Sequence, residues 1–115
     1  MPGTTIYDPP RLTTALVNVN TIGSNIIIPA KPGQYIRIYK LWLVAAAAVN
    51  VTISDVGPPP GNIIINDGPM PFLPSGALIL DYDTIAWYNS QVGASYALIL
   101  SAAVQVSGRI YYTQT

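Results

Sequence analysis

Cysteine, histidine and glutamate occur nowhere in this sequence of 115 residues. Without cysteine there are no disulfides and no thiolate metal sites, so the fold relies on packing or assembly, and the redox compartment is left open. Without histidine the side chain that changes charge near neutral pH is missing, and with it every Ser-His or Cys-His nucleophile pair and the ordinary zinc and iron ligand sets. Most enzymatic mechanisms lose their central group. The chain is therefore expected not to be an enzyme and to hold no cofactor.

Charge is scarce too. Charged residues make up 9% of the chain, where soluble proteins usually carry about 25%. Five basic and five acidic residues cancel, which leaves no electrostatic footprint for nucleic acid or for an anionic membrane surface. Asn, Gln, Ser and Thr number 27 against those 10 charges and cover part of the exterior. The remainder is expected to meet other chains, because an apolar, charge-poor surface left in water associates.

Long hydrophobic runs are also lacking. The longest, residues 41–49 in "KLWLVAAAAVNVTI", is nine residues long, half of the roughly 18 to 20 that cross a bilayer as a helix. No membrane span is expected. The start "MPGTTIYDPPR" has no basic segment followed by an apolar one, so no secretory signal is expected either.

What is present is punctuation. Eleven prolines and nine glycines leave little room for a helix of ten residues. Between them lie runs rich in β-branched and aromatic residues, at 12–19, 25–28, 34–44, 49–54, 63–65, 77–80, 86–88, 96–101 and 104–113. Short strands at that spacing predict an all-β, single-domain antiparallel sandwich of jelly-roll type, or a barrel. Its expected extent is 12–115, behind an extended arm at 1–11 that holds three prolines. In the last strand Val104, Val106, Gly108, Ile110 and Tyr112 share one face, and Gly108 there predicts a bulge or the close approach of another backbone. Within 41–53 the reading is a strand to Val44, a tight alanine passage, and a second strand from Val49. Trp42 is expected in the core, and a leucine at Ala46 or Ala47 is expected to overpack.

Two segments fit a sandwich poorly: the arm, and residues 57–74, whose six prolines predict a long loop around a short strand. Proline lowers the entropy lost on ordering, so both suit laying across a partner. The residues expected at such contacts are Ile6, Tyr7, Pro9 and Pro10 in the arm, and Ile64, Met70 and Phe72 in the loop. Trp87 and Tyr88, beside "NSQVG", are candidates for a subunit contact or for stacking on a sugar ring.

Chemistry has few places to reside. Asp81 and Asp83, two apart in "LDYDT", would project from the same side of an extended segment and could share a calcium ion or act as an acid and base pair. Two carboxylates supply few of the six to eight oxygens calcium takes, and the same pattern is ordinary turn chemistry in which Asp caps its own backbone. No metal site is expected. No phosphate-binding glycine loop occurs, and Asn50-Val51-Thr52 matches a glycosylation acceptor only by chance, inside a strand.

Two stretches, "KLWLVAAAAVNVTI" and "AWYNSQVGASYALILSAAVQVSGRIYYTQT", together carry a likeness from about Gln34 to Thr113. The chain resembles the small jelly-roll virion proteins of tailed bacteriophages, the capsid decoration or cement family. The resemblance implies a homotrimer on the outer surface of the capsid, partnered by itself and by the major capsid protein. Related domains in head fibres, tails and host-binding proteins make a glycan or host receptor the alternative partner. The resemblance does not reach the N-terminal third, so contacts through the arm rest on composition alone.

Overall fold

A computed structural model describes residues 11–58 and 61–115. Nine β-strands form, and among the described residues there is no helix: β1 (Thr13–Val19), β2 (Gly23–Ile28), β3 (Ile36–Ala45), β4 (Val49–Val56), β5 (Ile63–Phe72), β6 (Ala77–Leu80), β7 (Tyr88–Asn89), β8 (Ser95–Leu100) and β9 (Val106–Gln114). Each run expected from the sequence contains or overlaps one of them. The arm at 1–11 lies, all but Arg11, outside the described residues.

Pairing is antiparallel and nested: β1 with β9, β2 with β8, β3 with β6, β4 with β5. The chain is in effect one long hairpin rolled up, the wrapping that makes a jelly roll. Rolling places the pairs alternately in two sheets, β1-β9-β3-β6 and β2-β8-β4-β5, with the short β7 also beside β3. Both sheets are open at their edges, so the molecule is a sandwich and not a barrel.

Alternation along the strands fills the space between the sheets. Val17, Ile38, Leu41, Leu43, Val106 and Ile110 point in from the first sheet, and Val51, Ile53, Tyr96, Leu98 and Leu100 from the second, forming one buried cluster. At roughly 1.5 to 3 kcal/mol per buried large side chain, this cluster dominates stability.

The run 41–49 obeys the same period of two, although its sequence hides it. Leu41, Leu43 and Ala45 are buried while Trp42 and Val44 between them are exposed, and Ala46, Ala47 and Ala48 form the exposed corner where the chain crosses from one sheet to the other. Trp42 is thus not a core residue, contrary to expectation. The corner is pinned by its backbone: Ala45 N donates to Gly76 O (3.0 Å), Ala46 N to Gln105 O (2.9 Å), and Ser75 N to Ala45 O (2.8 Å). Tightness belongs to Ala45 alone, which is fully buried. Ala45→Leu is expected to cost about 1 to 3 kcal/mol by overpacking, while Ala46→Leu and Ala47→Leu stay within about 0.5 kcal/mol. Urea denaturation of the three variants measures this directly.

Residues 57–74 are a second correction. They hold not a loop around a three-residue strand but the ten-residue β5, paired with β4 from Val56↔Ile63 to Val49↔Phe72. Pro69 and Pro71 are tolerated because β5 is an edge strand, where a missing N–H faces away from the ladder. The pairing breaks register twice, between Val51 and Ile53 and between Ile53 and Ser54. Gly68, at φ +104°, sits in that break, where a Cβ would meet Val51 O at 2.7 Å.

Candidate functional site

The aspartates show what the interior chemistry is for. Asp55, on β4, faces the core opposite Tyr96 on β8 and Ile64 on β5 and is buried. Asn66 Nδ2 donates to its Oδ1 at 2.8 Å, and the Gln91 backbone N–H donates to its Oδ2 at 3.1 Å. The carboxylate thereby ties β4 to its neighbour strand and to the β7–β8 turn. Tyr88 OH donates to Asp67 Oδ2 at 2.6 Å, which closes the same end of the sandwich. Burial, then the hydrogen bond and charge of Asp67, pushes the Tyr88 hydroxyl's pKa upward. Burial, then the charge of Asp55 and that of Tyr88, does the same to Tyr96.

Tyr96 is the odd member, because its buried hydroxyl makes no hydrogen bond among the described residues. A buried hydroxyl without a partner costs about 1 to 3 kcal/mol. Tyr96→Phe, which keeps the ring, is expected to raise stability by about 1 kcal/mol. Linkage gives a second signature. Unfolded tyrosines ionise near pH 10, while folded Tyr88 and Tyr96 keep their protons higher, so stability present below about pH 10 declines as pH rises above it. Denaturation curves at neutral and alkaline pH should show that decline in the parent and a shallower one in Tyr96→Phe.

Asp81 and Asp83 both take part in the turn that follows β6. Asp83 Oδ1 accepts the Thr84 N–H at 2.7 Å, the turn cap that "LDYDT" predicted, and the Asp81 carbonyl accepts from Trp87 Nε1 at 2.8 Å. Among the described residues no cluster of three or more acidic or metal-ligating side chains exists. This arrangement positions a loop.

The larger feature is outside. Cross-strand partners share a face, so the registers place Leu16, Arg109, Trp42 and Ile79 in one row across all four strands of the first sheet. Leu16 is 66% exposed, Trp42 38% and Ile79 65%. Flanking rows are Thr14, Tyr111 and Lys40 on one side and Asn18, Ser107, Val44 and Ala77 on the other. Two of the face's cations lie over rings, Lys40 Nζ 5.3 Å from the Tyr111 centroid and Arg37 Cζ 4.5 Å from that of Tyr35. On the second sheet the corresponding row is Ile26, Ala97, Ser54 and Ile65, beside Ser24, Ile99 and Thr52, without a charge in either, but Ala97, Ser54 and Thr52 are buried, so that only Ile26 and Ile65 on its two edge strands stand exposed in the central row.

The contact residues expected from the sequence are scattered by comparison. Ile6, Tyr7, Pro9 and Pro10 lie outside the described residues. Ile64 and Met70 are half-buried and Phe72 belongs to the core cluster, because β5 is a strand whose alternate residues turn inward. Trp87 is exposed and Tyr88 half-buried. Leu16, Val44 and Ile79 were not among the expected contacts, and Trp42 was expected in the core, although for Trp42 and Val44 one signal was available: nine continuous apolar residues are more than the inward face of one strand can use. No family model, curated protein or solved structure matches the chain.

Proposed function

We propose that this chain is a structural virion protein of a tailed bacteriophage: a capsid decoration or cement protein that assembles as a homotrimer on the outer surface of the head and stabilises contacts between major capsid subunits. The observation that carries this reading is the make-up of the first sheet's outer face. In its central row Leu16, Trp42 and Ile79 are large, apolar and exposed, and Arg109 alone is charged. A free monomer rarely presents such a row, and a molecule clamped between others does so at little cost.

Function and chemistry agree on this point. A capsid repeats its binding sites many times, so modest contacts made by a multivalent unit add up without any single strong one. The absence of histidine, cysteine and glutamate costs such a protein nothing. The aromatic pair proposed for sugar stacking supports the alternative less well, since Trp87 is exposed but Tyr88 is half-buried, which leaves one ring and not two for a platform.

Titrating purified protein onto heads that lack it tests the proposal. Saturable binding in multiples of three, with a raised temperature of head disruption, is the expected result. Absence of binding at micromolar concentration rejects the reading.

A further inference from the structure

The first sheet's outer face and the loop at its far edge are complementary in charge, and both expose large apolar side chains. On the face, Arg109 stands between Leu16 and Trp42 and makes no ion pair among the described residues, with Lys40 and Arg37 on the same side. The loop that follows β6 carries Asp81 and Asp83, both exposed, and Ile85, 78% exposed. That is more than any other large apolar side chain named among the exposed ones.

The loop is also held in shape. Tyr82 stacks on Tyr39 with centroids 6.2 Å apart, Trp87 N donates to Ile38 O at 2.7 Å, and Asp83 caps Thr84. A rigid element loses little entropy on docking. Yet Ile85 leaves most of its surface open. Leu16 lies on β1 and the loop leaves from β6, at opposite edges of a four-strand path, about 14 Å apart at the usual strand spacing.

We propose that residues 81–85 of one copy seat on the Leu16–Arg109–Trp42 row of a second copy, joining the chains head to tail. This rests on the reading of the chain as a protein that assembles with itself, and it names the surface. Ile85 packs against Leu16 at the β1 edge while Asp81 and Asp83 approach Arg109. The two-fold alternatives are disfavoured by the same charges. Face against face sets Arg109, Lys40 and Arg37 opposite their own copies, and loop against loop does so for Asp81 and Asp83, which is unfavourable across an interface. A contact between unlike surfaces instead repeats from copy to copy and forms a ring where its rotation closes, and a threefold ring is one closure.

Because the sequence contains no cysteine, paired substitutions give a clean test. The variant combining Leu16→Cys with Ile85→Cys should, on mild oxidation, form a covalent ladder that ends in a closed ring, while either single variant stays uncross-linked. Cross-linking of Leu16→Cys alone or Ile85→Cys alone would show a two-fold contact and overturn the proposal, as would no cross-linking in the double variant. Charge reversal is the second arm. Arg109→Glu should dissociate the assembly in light scattering, and adding Asp81→Lys and Asp83→Lys to the same chain should restore it; an assembly indifferent to Arg109→Glu overturns the proposal. Head binding by a protein that fails these tests leaves the decoration reading intact and removes this one. A closed ring that binds no head does the reverse.

Discussion

Gly108→Ala is expected to abolish or nearly abolish folding. Gly108 is buried in β9 at the centre of the first sheet, paired to Leu43 on one side and Val17 on the other. A Cβ there would fall inside the Trp42 carbonyl oxygen and lie 2.9 Å from the carbon that bears it and 3.1 Å from the Leu43 Cα. All three atoms are backbone of a paired strand and cannot rotate aside. The remaining escape is to part β3 from β9, which breaks the ladder carrying Ile38, Leu41 and Leu43 into the core. Overpacking usually costs 1 to 3 kcal/mol when side chains can adjust; here the expected loss is about 3 kcal/mol or more, a large share of the 5 to 15 kcal/mol that holds a domain together. Urea denaturation, or recovery of soluble protein where the variant does not fold, measures it. A variant as stable as the parent would show that the two strands do not approach as described.

Trp42→Asp separates assembly from folding. Its side chain lies in the middle of the outer row, between Arg109 and Ile79, with its neighbours Leu41 and Leu43 turned inward. Changing an exposed residue leaves the core untouched, so the monomer should keep its fold and most of its stability. Tryptophan at the centre of an apolar patch is the residue type whose loss most weakens an interface, by about 2 kcal/mol or more. Self-association or head binding should fall at least about thirtyfold, the equivalent of that energy. Circular dichroism alongside light scattering decides it: an intact fold with lost association fits, and an unfolded chain would return Trp42 to the core.

Much of the architecture could be read from the sequence because it depends on local patterns. The alternation from Val104 to Thr113 gave the last strand and the role of Gly108, and "LDYDT" gave the cap at Asp83. What could not be read depends on partners distant in sequence. Trp42 looked buried because the chain there is apolar on both faces, so composition carries no sign of which residue turns out. Prolines hid β5, since edge position is a property of the whole sheet. Asp55 sits in "VTISDV" with nothing to mark it as buried. Its donors lie 11 and 36 residues away and meet it only once β5 and the β7–β8 turn have closed over that end.

The central claim is that the outer face of the first sheet is a surface of assembly. Imaging the virion at side-chain resolution tests it most directly. The account predicts threefold units on the outside of the head, with the row through Leu16, Trp42 and Ile79 covered by other chains. Finding the protein in place with that row open to solvent, or finding it nowhere on the particle, would contradict it.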